Sequence, residues 1–271
     1  MLSPVDLITP LSILEKFEGG TNLPYLLLGK RKSTNEIDKF VIKFLNSERL
    51  SYQAFTRELI ANLVSLFIGL KAPEPVIIEI TKEFAEQQRY KEHFSKCEKS
   101  LGLNFGTKYI DDWVIWNEGL YESELLSSLQ EIFIFDIFIG NTDRSIAKPN
   151  LFIKNDELFI IDHEIAFSYV LELFKVETDN WELSQGDKNF YKKHVLYESV
   201  KGKELICKNF ISRLNSLDKD FWQFVFSQIP SEWQNDGDTI IQFEKIQNNS
   251  LKIVNDLDLF QNQINSFLCE N

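Results

Sequence analysis

Apolar residues recur along this chain in two rhythms. Through the first hundred or so positions, short runs of β-branched and aromatic residues stand between polar clusters. Residues 25–29, 39–45, 76–80 and 104–110 are each read as strands on that pattern. Between them, residues 56–70 carry Leu59, Leu63, Leu66, Phe67 and Leu70 at helical spacing, with Gly69 near the end and Pro73 and Pro75 beyond it. That is an amphipathic helix followed by its stop signals. Residues 81–100 are polar and are read as helix. In the second half, 123–140 is strongly apolar and helical and opens into a loop at 141–150. Two short strand-like runs follow, 151–154 and 158–161, joined by Asn155-Asp156-Glu157. Asn and Asp tolerate tight-turn geometry, so this reads as a hairpin. Helices are then expected at 204–215, 218–228 and 238–267, with Pro230 separating the last two. The fold class is α+β: a β-rich lobe over 1–110 and a mostly helical lobe over 111–271 that carries the loop and hairpin. A cleft between two lobes is a common ligand site.

Composition narrows the picture. The chain has 271 residues, 44% of them hydrophobic, with 23 Phe, enough for a sizeable ring-rich core and too much for a disordered chain. Acids outnumber bases 41 to 29, a net charge of −12, so no direct nucleic-acid binding is expected, because that needs a basic face. Cys97, Cys207 and Cys269 are far apart, odd in number and outside any Cys-x-x-Cys pair. That argues against a disulfide scaffold or a zinc knuckle and for a reducing compartment. Residues 1–10 have no basic leader region, and the most apolar run, 132–139, is interrupted by Asp136 and too short to span a bilayer. The expectation is a cytoplasmic protein without membrane contact.

The densest polar constellation is Gly140-Asn141-Thr142-Asp143-Arg144 through Asn150, followed by Asp162-His163-Glu164. A hairpin brings its two ends together, so Asn150 and Asp162 can converge on one cation, and hard oxygen ligands of this kind suit Mg²⁺. Asp143 then lies on the approach side, where it can accept or orient the proton of an attacking hydroxyl. The plain alternative is a polar turn with solvated acids, the usual place for charge. Upstream, Lys43 sits in a strand and Glu58 fifteen positions later on the helix, on its more polar side with Asn62 and Ser65. A strand lysine held by a helix acid can reach nucleotide phosphates. Gly19 and Gly20 precede the first predicted strand, and glycines let backbone amides approach phosphates. Asp136 falls among apolar neighbours, where a carboxylate needs donors, so it is expected to brace the 141–144 loop. Arg144 is expected to pair with an acid, His163 to pack, and His93 and His194 have no partner in sequence. The three thiols read as inert and the aromatic run 221–226 as core.

Taken in order, Gly-rich turn, strand Lys, helix Glu, Asp loop, Asn, hairpin and Asp follow the protein-kinase plan. The chain most resembles the HipA-like kinase family, over roughly 19–233. The closest stretches are Phe135-Asp136-Ile137-Phe138-Ile139-Gly140-Asn141-Thr142-Asp143-Arg144 and Ile161-Asp162-His163-Glu164. Val41-Ile42-Lys43-Phe44, Arg57-Glu58-Leu59-Ile60-Ala61, Leu70-Lys71-Ala72-Pro73-Glu74-Pro75 and Ile229-Pro230-Ser231-Glu232-Trp233 support them. The resemblance implies a bilobal protein-kinase-like fold that uses ATP and Mg²⁺. By carry-over Lys43 contacts phosphates and Glu58 orients it, Gly19 and Gly20 cover the phosphates, and Asp143 is catalytic. Asn150 and Asp162 hold the metal, and the adenine-reading hinge lies near Lys108, at 108–112. The implied acceptor is a hydroxyl, foremost a protein Ser or Thr. A small-molecule or lipid kinase and a nucleotide-binding pseudokinase are the alternatives. An antitoxin-like partner follows from family analogy only. Two features depart from the protein-kinase pattern. Asn150 stands seven rather than five positions after Asp143, so the loop is expected to bulge by two residues with Lys148 and Pro149 shaping it, and His163-Glu164 replaces Phe-Gly after the metal acid.

Overall fold

The computed structural model describes residues 2–17, 23–45, 50–116, 122–171 and 182–270. In chain order its elements are β1 (Asp6–Lys16), β2 (Tyr25–Arg31), β3 (Ile37–Ile42), α1 (Tyr52–Phe67), β4 (Pro75–Ile80), α2 (Lys82–Gln87), α3 (Phe94–Lys99) and β5 (Gly102–Lys108). Then come β6 (Val114–Ile115), α4 (Glu122–Phe138), β7 (Leu151–Lys154), β8 (Glu157–Ile160) and a short 3₁₀ turn, Ser168–Val170. The remainder is helical: α5 (Gln185–Tyr191), α6 (Tyr197–Val200), α7 (Lys208–Leu214), α8 (Lys219–Gln228), α9 (Ser231–Gln234), α10 (Gly237–Asn255) and α11 (Leu257–Cys269). The architecture is therefore α+β, sheet-rich first and helical afterwards.

The five strands of the first half close into a barrel in the order β1-β2-β3-β5-β4. Closure comes from a parallel pairing of β1 with β4, Asp6 opposite Val76 through Ile8 opposite Ile78. A closed five-stranded sheet is not typical of a kinase N-lobe. Alternate side chains of each strand point inward, and Ile8, Leu27, Phe40, Ile42, Val76 and Ile78 fill the barrel. Strand β1 is missing from the sequence reading. It holds Pro10, which cannot donate to a ladder, and its register shifts twice, between Pro10 and Ser12 and between Ile13 and Glu15. Those irregularities break the period-2 alternation by which a strand is recognised, and Leu11 and Leu14 are turned out to solvent.

Helix α1 starts earlier than the stripe of leucines suggests. Ser51 caps it by accepting from the Ala54 amide, and every residue from Ala54 to Ser65 is buried. It lies against the barrel on one side and α9 and α10 on the other, so it has no solvent face to set an amphipathic pattern. Two helix expectations need correction. Residues 81–100 form two short helices, α2 and α3, and 238–267 breaks at Asp256 into α10 and α11. Helix α4 is buried almost all round in its second half, with Leu129, Ile132, Phe133, Phe135 and Phe138 in the main core. The hairpin β7–β8 pairs Leu151 with Ile160 and Lys154 with Glu157, and β6 adds a third strand beside β7. The Ile160 amide donates to the Lys71 carbonyl at 3.0 Å, which fixes the hairpin beneath the first half. Among the described residues, no helix is long and apolar enough to cross a membrane.

Candidate active site

Lys43 follows the last residue of β3, and its amide donates to the Phe105 carbonyl of β5 at 3.1 Å. Its ammonium reaches both oxygens of Glu58, each at 2.8 Å, and Asp162 Oδ1, also at 2.8 Å. Glu164 Oε2 lies 3.7 Å away. One lysine from the barrel, one acid from α1 and two from the segment after the hairpin thus meet in one place. Carboxylate oxygens of Glu58, Asp162 and Glu164 all fall within 4.8 Å of one another. Burial disfavours the charge on Lys43, but Asp162, Glu58 and Glu164 outweigh it and raise its pKa above the ordinary lysine range. Three acids cannot share one cation equally. Burial, with the Asp162 and Glu164 charges, pushes Glu58 up to about 7 against the pull of Lys43. Asp162 is also buried, yet Lys43 and Lys148 hold its carboxyl well below the usual range.

The loop after α4 is built around Asp136. This carboxylate is wholly buried, and it accepts from Asn141 Nδ2 at 2.8 Å, Arg144 Nε at 2.5 Å and His194 Nε2 at 2.9 Å. The expected brace of the 141–144 loop is present. His194, read as partnerless from sequence, is its third donor. The Leu196 amide donates to His194 Nδ1 at 3.1 Å, so Nε2 carries the proton. His93, also read as partnerless, meets Gln88 at 3.1 Å. Arg144 is buried and donates onward from Nη1 to the carbonyls of Pro149, at 3.4 Å, and Asn150. It is therefore an internal strut between α4 and the far end of the loop. Asn141 Oδ1 accepts from the Asp143 amide at 3.2 Å, which sets the turn that presents Asp143.

Lys148 bridges the two acids named from sequence: its ammonium lies 2.7 Å from Asp143 Oδ2 and 2.9 Å from Asp162 Oδ2. Sequence reasoning saw Lys148 only as a shaper of the long loop. Its signal was its place between the two acids. Asn150 and Asp162 both adopt left-handed backbone, φ 46° and 61°, and the Ile161 amide donates to the Asn150 carbonyl at 3.0 Å. The hairpin does bring its ends together. Asn150, Asp162, Lys148, Lys43 and Glu58 all line one cavity of about 410 Å³ between the two halves. Its other wall is apolar, with Val41, Phe105, Trp113, Ile115 and Phe152. Lys108 lines it too, but its ammonium pairs with Asp38 at 3.2 Å and its amide donates to the Glu74 carbonyl at 2.8 Å. Gly19 and Gly20 lie outside the described residues.

The oxygen donors fit a divalent cation. Glu58, Asp162 and Glu164 bring hard carboxylate oxygens within 4.8 Å of one another, Asn150 lines the same cavity, and an ammonium already sits between the Asp143 and Asp162 carboxylates as a cation would.

The buried network makes stability depend on pH. Burial lowers the His194 pKa despite Asp136, so the folded protein refuses a proton that the unfolded chain accepts below about 6.5. Stability is then complete above that value and falls as pH drops through it. Asp136 is buried, yet Arg144 and His194 hold it below its ordinary value. Its contribution is present above the usual carboxylate range and is lost on further acidification. Urea melts at stepped pH are expected to show both declines, the first with a slope of up to about 1.4 kcal/mol per pH unit for each proton. His194→Gln, which keeps a donor without a titrating ring, is expected to make that first decline shallower, leaving the share of His163 and His93, whose pKa values burial also lowers. An unchanged profile would contradict it.

A sequence model of the HipA-like kinase family matches residues 11–264, nearly the whole chain, and the protein belongs to that family. None of the curated proteins compared with it matches.

Proposed function

We propose that this protein is an ATP- and Mg²⁺-dependent kinase with a protein-kinase-like bilobal plan, transferring the γ-phosphoryl group to a hydroxyl, foremost of a protein Ser or Thr. One observation carries the reading. The Lys43 ammonium is fixed between Glu58 and Asp162 on the wall of a cavity whose opposite rim presents Lys148, bonded to Asp143, and Asn150. Family membership supports phosphotransfer. A cavity of about 410 Å³ suits a small ligand, and its apolar wall gives a planar base a surface to pack against.

In this reading Lys43 contacts the α and β phosphates, and Glu58 keeps it aimed. Asp162 and Asn150 would hold the divalent ion, which supplies charge neutralisation to the phosphates when bound. Lys148 loses its place between the acids and follows the γ-phosphoryl group. Asp143 accepts the proton of the attacking hydroxyl as its oxygen bonds to the γ-phosphorus and the bond to the β-phosphate oxygen breaks. Catalysis then rests on alignment and charge neutralisation. Arg144 is spent inside the fold on Asp136 and Asn150 and so offers no group to an acceptor. Use of ATP and three unpaired thiols support a cytoplasmic setting.

The test is direct. Mg-ATP at about 100 times its Kd is expected to stabilise the protein by about 2.7 kcal/mol in a thermal-shift measurement. Labelled γ-phosphate is expected to appear on Ser or Thr of protein in an extract. Stabilisation without transfer would identify a pseudokinase, label only in the metabolite or lipid fraction would move the acceptor class, and no stabilisation would overturn the reading.

A further inference from the structure

The segment Ile229-Pro230-Ser231-Glu232-Trp233 has no part in the site described so far, yet it joins the helical half to α1, which carries Glu58, and to β5, which receives the Lys43 amide. Trp233 is wholly buried, and its Nε1 donates to the Leu103 carbonyl of β5 at 2.8 Å. Its ring packs on Phe55 of α1, with centroids 5.4 Å apart. Glu232 Oε1 accepts from the Tyr52 hydroxyl at the start of α1, at 2.8 Å, and from the Leu103 amide, at 3.0 Å. Gly102 makes room for this carboxylate. It has φ +102°, and a Cβ there would lie 2.4 Å from Glu232 Oε1. The contact continues into α10. Gln53 donates to Asp236 at 2.5 Å, Arg57 Nη1 to Gln242 Oε1 at 2.7 Å, and Gln242 to the Gln53 carbonyl at 2.9 Å. Arg57 Nε meanwhile donates to the Glu164 carbonyl at 3.1 Å, two residues after Asp162.

The consequence follows from the connections. Glu58 rides on α1, and β5 supplies the Phe105 carbonyl that receives the Lys43 amide. Both partners of the ion pair are therefore anchored to one short stretch of the helical half. Moving α1 outward would break its bonds to Glu232, Asp236 and Gln242 and uncover a helix buried from Ala54 to Ser65.

We propose that Glu232 and Trp233 are positioning residues that hold α1 against β5, so that the Lys43–Glu58 pair is assembled before any ligand arrives and needs no modification or partner to bring α1 in. The kinetic consequence rests on the kinase reading; the mechanical claim does not.

Hydrogen exchange followed by mass spectrometry on the full chain tests it. In the wild type, peptides covering α1 are expected to gain no more protection from Mg-ATP than those of α8 and α11, which report the stabilisation of the whole fold. Glu232→Met removes the acceptor. It is expected to speed exchange about tenfold over residues 52–58 and 102–104 in the free protein, the size of one lost charge-assisted hydrogen bond, with α8 and α11 unchanged. Glu232→Gln keeps an acceptor oxygen and is expected to restore most of the protection. Tyr52→Phe removes one donor and gives a milder version of the same local pattern should the Met variant fold poorly. Under the kinase reading the Kd for Mg-ATP rises by at most about twofold in Glu232→Met, because an opening that stays rare leaves most of the protein competent to bind. The rate at saturation holds within about twofold, because bound nucleotide reforms the pair. The proposal is overturned if wild-type α1 gains more protection on nucleotide binding than α8 and α11, if the variants raise exchange uniformly, or if they leave α1 unchanged. Absence of any Mg-ATP binding by the wild type would defeat the kinase reading alone, since exchange in the free protein still reports on the anchor.

Discussion

Asp143→Asn is expected to lower phosphoryl transfer by about 10³-fold while leaving the affinity for Mg-ATP nearly unchanged, because it removes a proton acceptor and no phosphate contact. Asp162→Asn is expected to abolish transfer and also to weaken Mg-ATP binding, because its two oxygens face Lys43 and Lys148 and one of them is the proposed metal ligand. Neither change should unfold the protein. After Asp162→Asn, Lys43 still has both oxygens of Glu58, and Asp143 makes its one ion pair at the loop surface, with Lys148. Single-turnover transfer and equilibrium nucleotide binding, measured side by side, separate the two roles. Full transfer by either variant would refute the assignment of that residue. Equal loss of binding in both would mean that Asp143 is a metal or phosphate contact and not the base.

Asp136→Ala is expected to cost about 3–5 kcal/mol of stability, the range for stripping one partner from a buried ion pair. The large size has a specific origin. Arg144 is only 1% exposed, and without Asp136 its guanidinium keeps carbonyl acceptors but no carboxylate. His194 and Asn141 lose their acceptor at the same time. Against a typical total of about 5–15 kcal/mol, this is enough to leave a substantial unfolded fraction at physiological temperature. Urea unfolding gives the difference directly. Adding Arg144→Met to Asp136→Ala removes the orphaned charge and is expected to recover at least a third of the loss. A loss below about 1 kcal/mol for the single variant would show that the network is dispensable.

Much of the site was readable because its residues keep fixed places relative to strong local signals. Asn155-Asp156-Glu157 announces a hairpin, and a hairpin necessarily brings the residues at its two ends together, so Asn150 and Asp162 were placed side by side without coordinates. Asp136 was legible as buried because its helical neighbours are all apolar. The unread parts depend on contacts distant in sequence. Glu58 was named for Lys43 from the more polar side of its helix, whereas Glu164, 3.7 Å from the same ammonium, had no such signal. The third donor to Asp136, His194, comes from 58 positions away. Strand β1 hid behind Pro10 and two register shifts, and with it the closure of the barrel. Lys148 was visible but undervalued, because a lysine beside a proline in a polar loop ordinarily signals solvent.

Barrel closure has a consequence for how other molecules can engage this protein. Where β1 runs beside β4, Asp6–Ile8 against Val76–Ile78, both strands spend their backbone groups on each other and present no edge to a foreign strand. Strand addition is thereby denied along that seam. In the smaller sheet β6 is an edge strand, and its Val114 and Ile115 are 63% and 64% exposed, with Ile115 on the cavity wall.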